Sequence, residues 1–368
     1  MKSDRCSRYE HLIISSVCVV LLGLMSACAS PTIQPENLPE EPIAFLHWDD
    51  KASKARAKAF ASFSELPVHP PPKNDPEGAE DRDIHAFLQG EHSAMFSQIL
   101  AKNPGRMMVY WPRTGVVERV DAAPINSRPL SWSKDHSRLL FVSGHRDGKR
   151  QLYEYDFDRR HLSVLTFGSF EHVRGDYDGE GRLVILQLQA SRRGGRPIET
   201  VHLASAGGQR ERVIARDVHP GALRFTSAGD RIVYEHVRAR PRRDGATTFD
   251  PFVATRMLEE GATERILVRG REPSLTPDGE WIVFASPSSA GYRLRRMRPD
   301  GSSKVAISSG LPQNPGGVNE RMPTVSPDGT YVAFIKDSGD RRRLYVRRFD
   351  GKRERALLTS GWSEFPVW

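Results

Sequence analysis

Five short runs in this chain are apolar at every position: Leu139–Val142, Leu183–Leu186, Ile232–Tyr234, Trp281–Phe284 and Tyr331–Ile335. A strand with one face in water alternates, so a run with no polar side predicts a strand buried on both faces. Later segments such as Gln151–Asp156 and Leu344–Phe349 alternate more. The turns Pro299-Asp300-Gly301 and Phe349-Asp350-Gly351 lead into further short strands such as Arg355–Thr359. The clearest segments before an apolar run are Pro273-Ser274-Leu275-Thr276-Pro277-Asp278-Gly279 and Pro323-Thr324-Val325-Ser326-Pro327-Asp328-Gly329, fifty residues apart. In these, proline fixes φ for the second position of a tight turn and glycine takes a conformation a side chain would forbid. The motif is therefore a hairpin, and Asp278 and Asp328 are turn residues.

A weaker copy spans Pro129–Phe141, and degraded ones pass through Tyr177-Asp178-Gly179 and Phe225–Gly229, so anchors fall at 132, 177, 225, 275, 325 and 368. A period of 43–50 residues with four strand-sized segments per unit predicts propeller blades, because one small sheet cannot cover both of its faces alone. The ends carry the closure. Ser363–Trp368 is a first strand with nothing after it. Arg106–Trp111 and Val116–Ala122 are third and fourth strands of a unit lacking its first, with Met95–Leu100 a possible second strand. The expectation is an all-β, six-bladed β-propeller over residues 94–368, closed by pairing the C-terminal strand with the N-terminal blade.

The repeated Pro-x-Trp/Leu/Val-Ser/Thr-Pro-Asp-Gly units, the Leu344–Val346 third strand and the Pro366-Val367-Trp368 end resemble the TolB-type β-propeller repeat. The resemblance covers residues 94–368 and is specific to architecture. TolB proteins, peptidase propeller domains and assorted lipoproteins share the repeat, so it implies the fold and leaves the function open. TolB itself is a soluble periplasmic protein with a globular N-terminal domain that docks on a peptidoglycan-associated lipoprotein. This chain differs upstream of the repeat.

There, Lys2, Arg5 and Arg8 precede the apolar run Leu12–Leu24. The run is too short to span a bilayer and suits a signal peptide over residues 1–27. Met25-Ser26-Ala27-Cys28 resembles the bacterial lipobox, which implies acylation of Cys28; the other reading is an ordinary signal peptide cut after Ala27. Cys6 and Cys18 leave with the leader, so no intramolecular disulfide is available and Cys28 is the one thiol in need of a purpose. Several acyl chains on one residue hold it to the membrane for good. Ala29 after the cysteine resembles the outer-membrane sorting pattern, placing the chain on the inner leaflet of the outer membrane and facing the periplasm. Residues 28–93 read as an acidic, proline-rich stalk around Pro67–Pro76, with one short helix starting at an Asp49-Asp50 cap.

Charge sharpens the picture. Residues 28–95 carry a net −6 and residues 96–368 a net +13. In a propeller the connections between blades, and the loops between second and third strands, emerge on one face. That face is expected to carry Arg128, Glu171-His172, His219, Arg271-Glu272, Glu320-Arg321 and Glu364 around the channel mouth. Its rim carries Arg192, Arg193, Arg242 and Arg243. Such a ring suits an envelope protein or an anionic surface: the peptidoglycan-associated lipoprotein, lipid headgroups or a glycan. The alternatives are a solvated, arginine-rich surface and an internal contact, in which the acidic stretch Asp75–Asp83 folds back on the basic face. Nucleic acid is excluded by compartment. No Gly-x-Ser-x-Gly elbow and no Cys/His zinc spacing are present, so the expected role is a non-enzymatic binding platform with no cofactor. The rival is a channel-site, metal-dependent lyase or lactonase or a glycan sensor, its ligands His172 and His219 with Glu171, Glu320 or Glu364.

Overall fold

The computed structural model describes residues 32–54 and 103–368, apart from 145–148, 169, 179, 190–197, 217–222, 227–228, 242–246, 260, 290, 309–318 and 339–340. Over these residues the chain forms six four-stranded antiparallel sheets. From the channel outward, blade 2 runs Arg128–Trp132, Arg138–Ser143, Gln151–Asp156 and His161–Val164. Blade 3 runs Glu171–Tyr177, Leu183–Gln189, Ile198–Ala204 and Arg210–Arg216. Blade 4 is Leu223–Phe225, Arg231–Pro241, Thr247–Met257 and Arg265–Arg269. Blade 5 is Arg271–Leu275, Ile282–Ser288, Gly291–Met297 and Val305–Ala306. Blade 6 is Asn319–Val325, Tyr331–Asp337, Arg342–Arg348 and Glu354–Ala356.

Blade 1 is composite and closes the ring. Trp362–Val367 is its inner strand, Ile43–Trp48 its second, Arg106–Trp111 its third and Val116–Arg119 its fourth. The closure by the C-terminal strand is as the repeat predicts, but the second strand is not. Ile43–Trp48 lies in the segment expected to be stalk and fills the place expected for Met95–Leu100, which lies outside the described residues. The physical reason is burial: Ile43, Ala44 and Phe45 are wholly shielded, and an apolar strand between Pro42 and Asp49 gains more inside the sheet than in a solvated spacer. Asp49 then caps a turn of helix over residues 50–54, its carboxylate accepting the Ala52 N–H at 2.8 Å.

The unbroken apolar runs work as the pattern requires. Alternate residues of one second strand enter two different cores. Leu139 and Phe141 pack toward blade 1, Leu140 and Val142 toward blade 3. Leu183 and Ile185 face blade 2, while Val184 and Leu186 face blade 4. Further clusters seal blades 4 and 5, 5 and 6, and 6 and 1. Each such side chain contributes about 1.5–3 kcal/mol by leaving water, so ring closure and core formation are one process.

The Ser/Thr-Pro-Asp-Gly turns form as predicted. Asp278 Oδ1 accepts from the Thr276 hydroxyl at 2.5 Å and the Glu280 N–H at 2.9 Å, and Asp328 repeats this with Ser326 and Thr330. Gly279 and Gly329 both sit at φ 71°, where a Cβ is strained. In the weaker copy His136 takes the same place at φ 56°.

Candidate functional site

The inner strands of blades 5, 6 and 1 share a local fault that shapes the channel. Their pairing slips between Arg271 and Ser274, between Arg321 and Thr324, and between Glu364 and Val367. At each slip a non-glycine residue adopts the left-handed conformation: Glu272 at φ 55°, Met322 at 53° and Phe365 at 55°. These are β-bulges, and each left-handed residue costs about 1–2 kcal/mol. The bulges turn three successive N–H groups along the ring. Glu272 N–H donates to Glu235 Oε2 at 2.9 Å, Met322 N–H to Glu272 Oε2 at 2.8 Å, and Phe365 N–H to Met322 Sδ at 3.3 Å. Each bulge is thus held by a side chain of the preceding blade, which offsets its strain.

Above these bulges the channel opens into a chamber of about 350 Å³ lined by six arginines and three glutamates. The charges are not evenly mixed. On the side of blades 4, 5, 6 and 1 the glutamates are committed. Glu272 takes a two-point grip from Arg321, Glu364 accepts from Arg342 and from the Trp362 ring N–H at 2.8 Å, and Glu235 lies 3.4 Å from Arg271. Burial would raise the Glu272 carboxyl, but Arg321, Arg271 and the Met322 N–H outweigh it and hold it below the ordinary 4.5.

On the opposite side Arg128, Arg174 and Arg224 come from the inner strands of blades 2, 3 and 4. Arg128 stacks on the Phe365 ring at 3.8 Å, and its buried Nε has no hydrogen-bond partner. Arg174 donates to the Val173 carbonyl at 2.7 Å, and Arg224 to the Leu223 carbonyl at 3.1 Å. Among the described residues, neither Arg128 nor Arg224 has a carboxylate in salt-bridge range. Burial, and then the fields of Arg174 and Arg224, push the Arg128 guanidinium well below its ordinary value.

The channel continues into a second chamber of about 520 Å³ on the turn face, bordered by Trp132, Tyr177, Phe225 and Trp368. Trp368 ties the C-terminal strand to the segment just before Ile43–Trp48, its ring N–H donating to the Glu41 carbonyl at 2.9 Å.

Of the residues expected at the mouth, Arg128, Arg271, Glu272, Arg321 and Glu364 line the chamber. Glu320 does not. It neighbours Arg321 on one strand, so its side chain points the other way, into the wall between blades 5 and 6. There it is gripped by Arg347 at 2.7 and 3.2 Å, which with Ser308 and the Leu294 N–H overcomes burial to keep it below its ordinary value. His172 is also misplaced by expectation: its ring is buried against Gln151 at 2.9 Å. Burial, with help from Arg210 and His202, lowers it to about 4, so it is neutral at physiological pH. Glu171 faces out and pairs with Arg150. The ligand set of the metal-enzyme reading is therefore not assembled by His172, Glu171 and Glu320, and no group of three or more His, Cys, Asp or Glu side chains fit to hold a metal occurs among the described residues. His219, Arg192, Arg193, Arg242, Arg243 and Cys28 lie outside the described residues.

Arg174, Arg224, Glu235 and Arg342 line the chamber without having been expected there. The repeat held a signal for two of them. Arg174 stands three residues before its blade anchor, where blade 2 has Pro129, and Arg224 immediately precedes its anchor. Blade 4 has a further feature on this face. Its second and third strands are eleven residues each, against seven in blade 5, and pair out to Pro241 opposite Thr247. The hairpin therefore projects beyond the mouth.

No protein-family model and no curated protein sequence matches the chain. Solved structures do. TolB from Acinetobacter baumannii aligns with a TM-score of 0.58 at 14% identity, over 89% of this chain and 66% of that one. A putative TolB from Agrobacterium tumefaciens gives 0.54 at 21%, over 68% and 87%. Hydrazine synthase from Kuenenia stuttgartiensis gives 0.56 at 12%, over 89% of this chain and 46% of that one. The chain thus spans just under two thirds of the Acinetobacter protein. Identities this low establish the TolB-like propeller architecture alone, and the presence of an enzyme among these neighbours shows that the same ring carries unrelated tasks.

Proposed function

We propose that this chain is an envelope lipoprotein, held by acylated Cys28 on the inner leaflet of the outer membrane, whose periplasm-facing channel mouth is a docking platform for another envelope protein. It performs no catalysis. The observation that carries this reading is the chamber itself, with six arginines against three glutamates on the face where the inter-blade connections converge. A cationic concavity orients an acidic partner and speeds its capture. Two exposed apolar side chains on the same connections, Ile125 at 44% and Phe167 at 80%, give such a partner a desolvated contact between charges. The blade 4 hairpin supplies a raised edge. Among the described residues no helix is long and apolar enough to cross a membrane, so attachment rests on Cys28 in this account. The enzyme reading finds no support in the positions of His172 and Glu320, which serve the walls between blades.

The test is in-cell crosslinking and capture of the tagged protein, with a variant carrying Arg192, Arg193, Arg242 and Arg243 all changed to Glu. A defined envelope protein captured by the wild type and lost in the folded variant supports docking through this face. Capture indifferent to charge reversal refutes it. Cys28→Ser should move the protein from the membrane to the soluble periplasmic fraction; retention in the membrane would remove the lipid anchor from the account.

A further inference from the structure

The chain joins the ring ten residues before its first strand, at one place on the rim. Ile33 and Leu38 are buried in the wall between blades 6 and 1, among Tyr110, Tyr331, Ile335 and Val346. Their main chain is fixed as well. Arg355, on the outer strand of blade 6, donates to the Ile33 carbonyl at 3.1 Å, and Arg113, in the outer turn of blade 1, to the Leu38 carbonyl at 3.0 Å. A 3-10 turn over Pro35–Asn37 joins the two, closed by the Leu38 N–H on the Pro35 carbonyl at 2.9 Å. Residues 33–42 are therefore built into the rim. The acidic, proline-rich stretch lies beyond them, inserted between Ile43–Trp48 and Arg106–Trp111, so it adds nothing to the reach of an anchor upstream.

Cys28 stands five residues before Ile33. Fully stretched, those residues reach about 17–18 Å. The headgroup layer takes up about 5–8 Å of that, which leaves about 10 Å between lipid and rim. The outer strands of blades 1 and 6 flank the point of entry. Val117 pairs with Tyr110, so it faces the side on which Ile33 and Leu38 pack, and it is 38% exposed. Arg355 pairs with Val346 and turns into the same gap from blade 6. Exposed Lys352 and Arg353 are offset nearby by exposed Glu36, Glu40 and Asp350, so the length of the tether, rather than attraction of charge, sets how close this rim comes to a membrane.

We propose that the rim between blades 6 and 1 rests on phospholipid headgroups, with residues 28–32 as its whole tether, and that blades 3 and 4, across the ring, point away from the leaflet. This rests on the acylation of Cys28 in the reading above and adds to it an orientation. The mouth then takes its partners at the membrane surface, not at the end of a long spacer.

With Cys28 acylated and the leader gone, an introduced cysteine is the one free thiol. Val117→Cys, beside the entry, and Val213→Cys, on the outer strand of blade 3 and equally exposed at 38%, would each carry a fluorophore in the acylated chain. The vesicles would be phosphatidylethanolamine and phosphatidylglycerol with a headgroup spin label as quencher. The label at position 117 should be quenched and that at position 213 spared, at low and at high salt. A Gly-Ser linker of about twenty residues inserted between Pro31 and Thr32 adds about 25 Å of root-mean-square reach and should abolish most of the difference while the protein stays bound. Equal quenching at the two positions without the linker, or a difference that the linker leaves intact, overturns the proposal. Intact mass reads acylation separately. A Cys28 without acyl chains sinks the anchor and this proposal together, whereas an acylated chain with equal quenching sinks this proposal and leaves the anchor and the docking platform standing.

Discussion

Glu272 joins blade 5 to blade 6, and its replacement should separate two energies that the structure superimposes. The carboxylate accepts the Met322 N–H at 2.8 Å and both arms of Arg321, while the backbone beneath it stands at φ 55°. Glu272→Ala removes the acceptor and leaves a guanidinium only one-fifth exposed without its counter-charge. Breaking a buried pair in this way costs about 3–5 kcal/mol. Alanine inherits the left-handed strain, so that term cancels between wild type and Glu272→Ala. Glu272→Gly relieves the strain of about 1–2 kcal/mol but adds unfolded-state entropy of about 0.4–1 kcal/mol. It should therefore be more stable than Glu272→Ala by about 1 kcal/mol. Glu272→Gln keeps an acceptor for Met322 and loses the charge, which places it between wild type and Ala. For the 341 residues left once the 27-residue leader is removed from 368, about 2.1 cal/mol/K per residue gives an unfolding entropy of about 0.7 kcal/mol/K, so Glu272→Ala should lower Tm by about 4–7 °C. Thermal melts followed by circular dichroism read all three variants. An Ala variant within 1 °C of wild type, roughly the resolution of such a melt and far below the shift above, would refute the claim that this carboxylate ties two blades. A Gly variant that melts below the Ala variant would refute the strain.

Acid should loosen the ring through two separate groups. Burial, then Arg210 and His202, holds His172 at about 4 in the folded protein, below its unfolded value of 6.5. Its stabilisation is complete above pH 6.5 and lost as pH falls toward 4, by about 3 kcal/mol. Glu272 is also depressed on folding, so its contribution is present above pH 4.5 and fades below it as pH falls through the folded value. Urea titrations across pH should show His172→Gln flattening the upper limb alone and Glu272→Gln the lower limb alone; one shared limb would contradict the assignment. Phe45→Ala, in the strand that completes blade 1, should cost about 3–5 kcal/mol by the urea midpoint, as for any buried Phe. A neutral result would return residues 43–48 to a spacer. Trp368→Ala should cost a similar ~3–5 kcal/mol and expose the C-terminal strand to limited proteolysis, whereas unchanged protection would show that the bond to Glu41 does not hold that strand in blade 1.

The architecture was legible because its signal is physical and repeated. A strand between two blades must be apolar on both faces, and a hairpin built on Thr276–Gly279 or Ser326–Gly329 must turn. The second strand of blade 1 carried the same unbroken apolar signal, in Ile43-Ala44-Phe45-Leu46, but far upstream of its partners and among prolines that suit a spacer. Only closure of the ring reveals the vacancy it fills. At the mouth, residues were legible and directions were not. Glu320 and Arg321 are neighbours with opposite fates, because strand alternation sends one into the wall and the other into the channel. The bulges at Glu272, Met322 and Phe365 shift that alternation locally, and nothing in their side chains announces a left-handed backbone. Arg174 and Arg224 occupy degraded copies of the repeat, where the missing Pro-Asp-Gly turn obscures the alignment that would have placed them.

Site-specific photo-crosslinking tests the central claim most directly. A photoreactive residue at Ile125 or Phe167, on the mouth face, would be compared with one at Lys134 or Thr330 on the turn face, at low and at high salt. The account predicts one defined envelope protein crosslinked from the mouth positions, weakened by salt, and nothing from the turn face. Equal crosslinking from both faces, or a mouth-face product indifferent to salt, would contradict it.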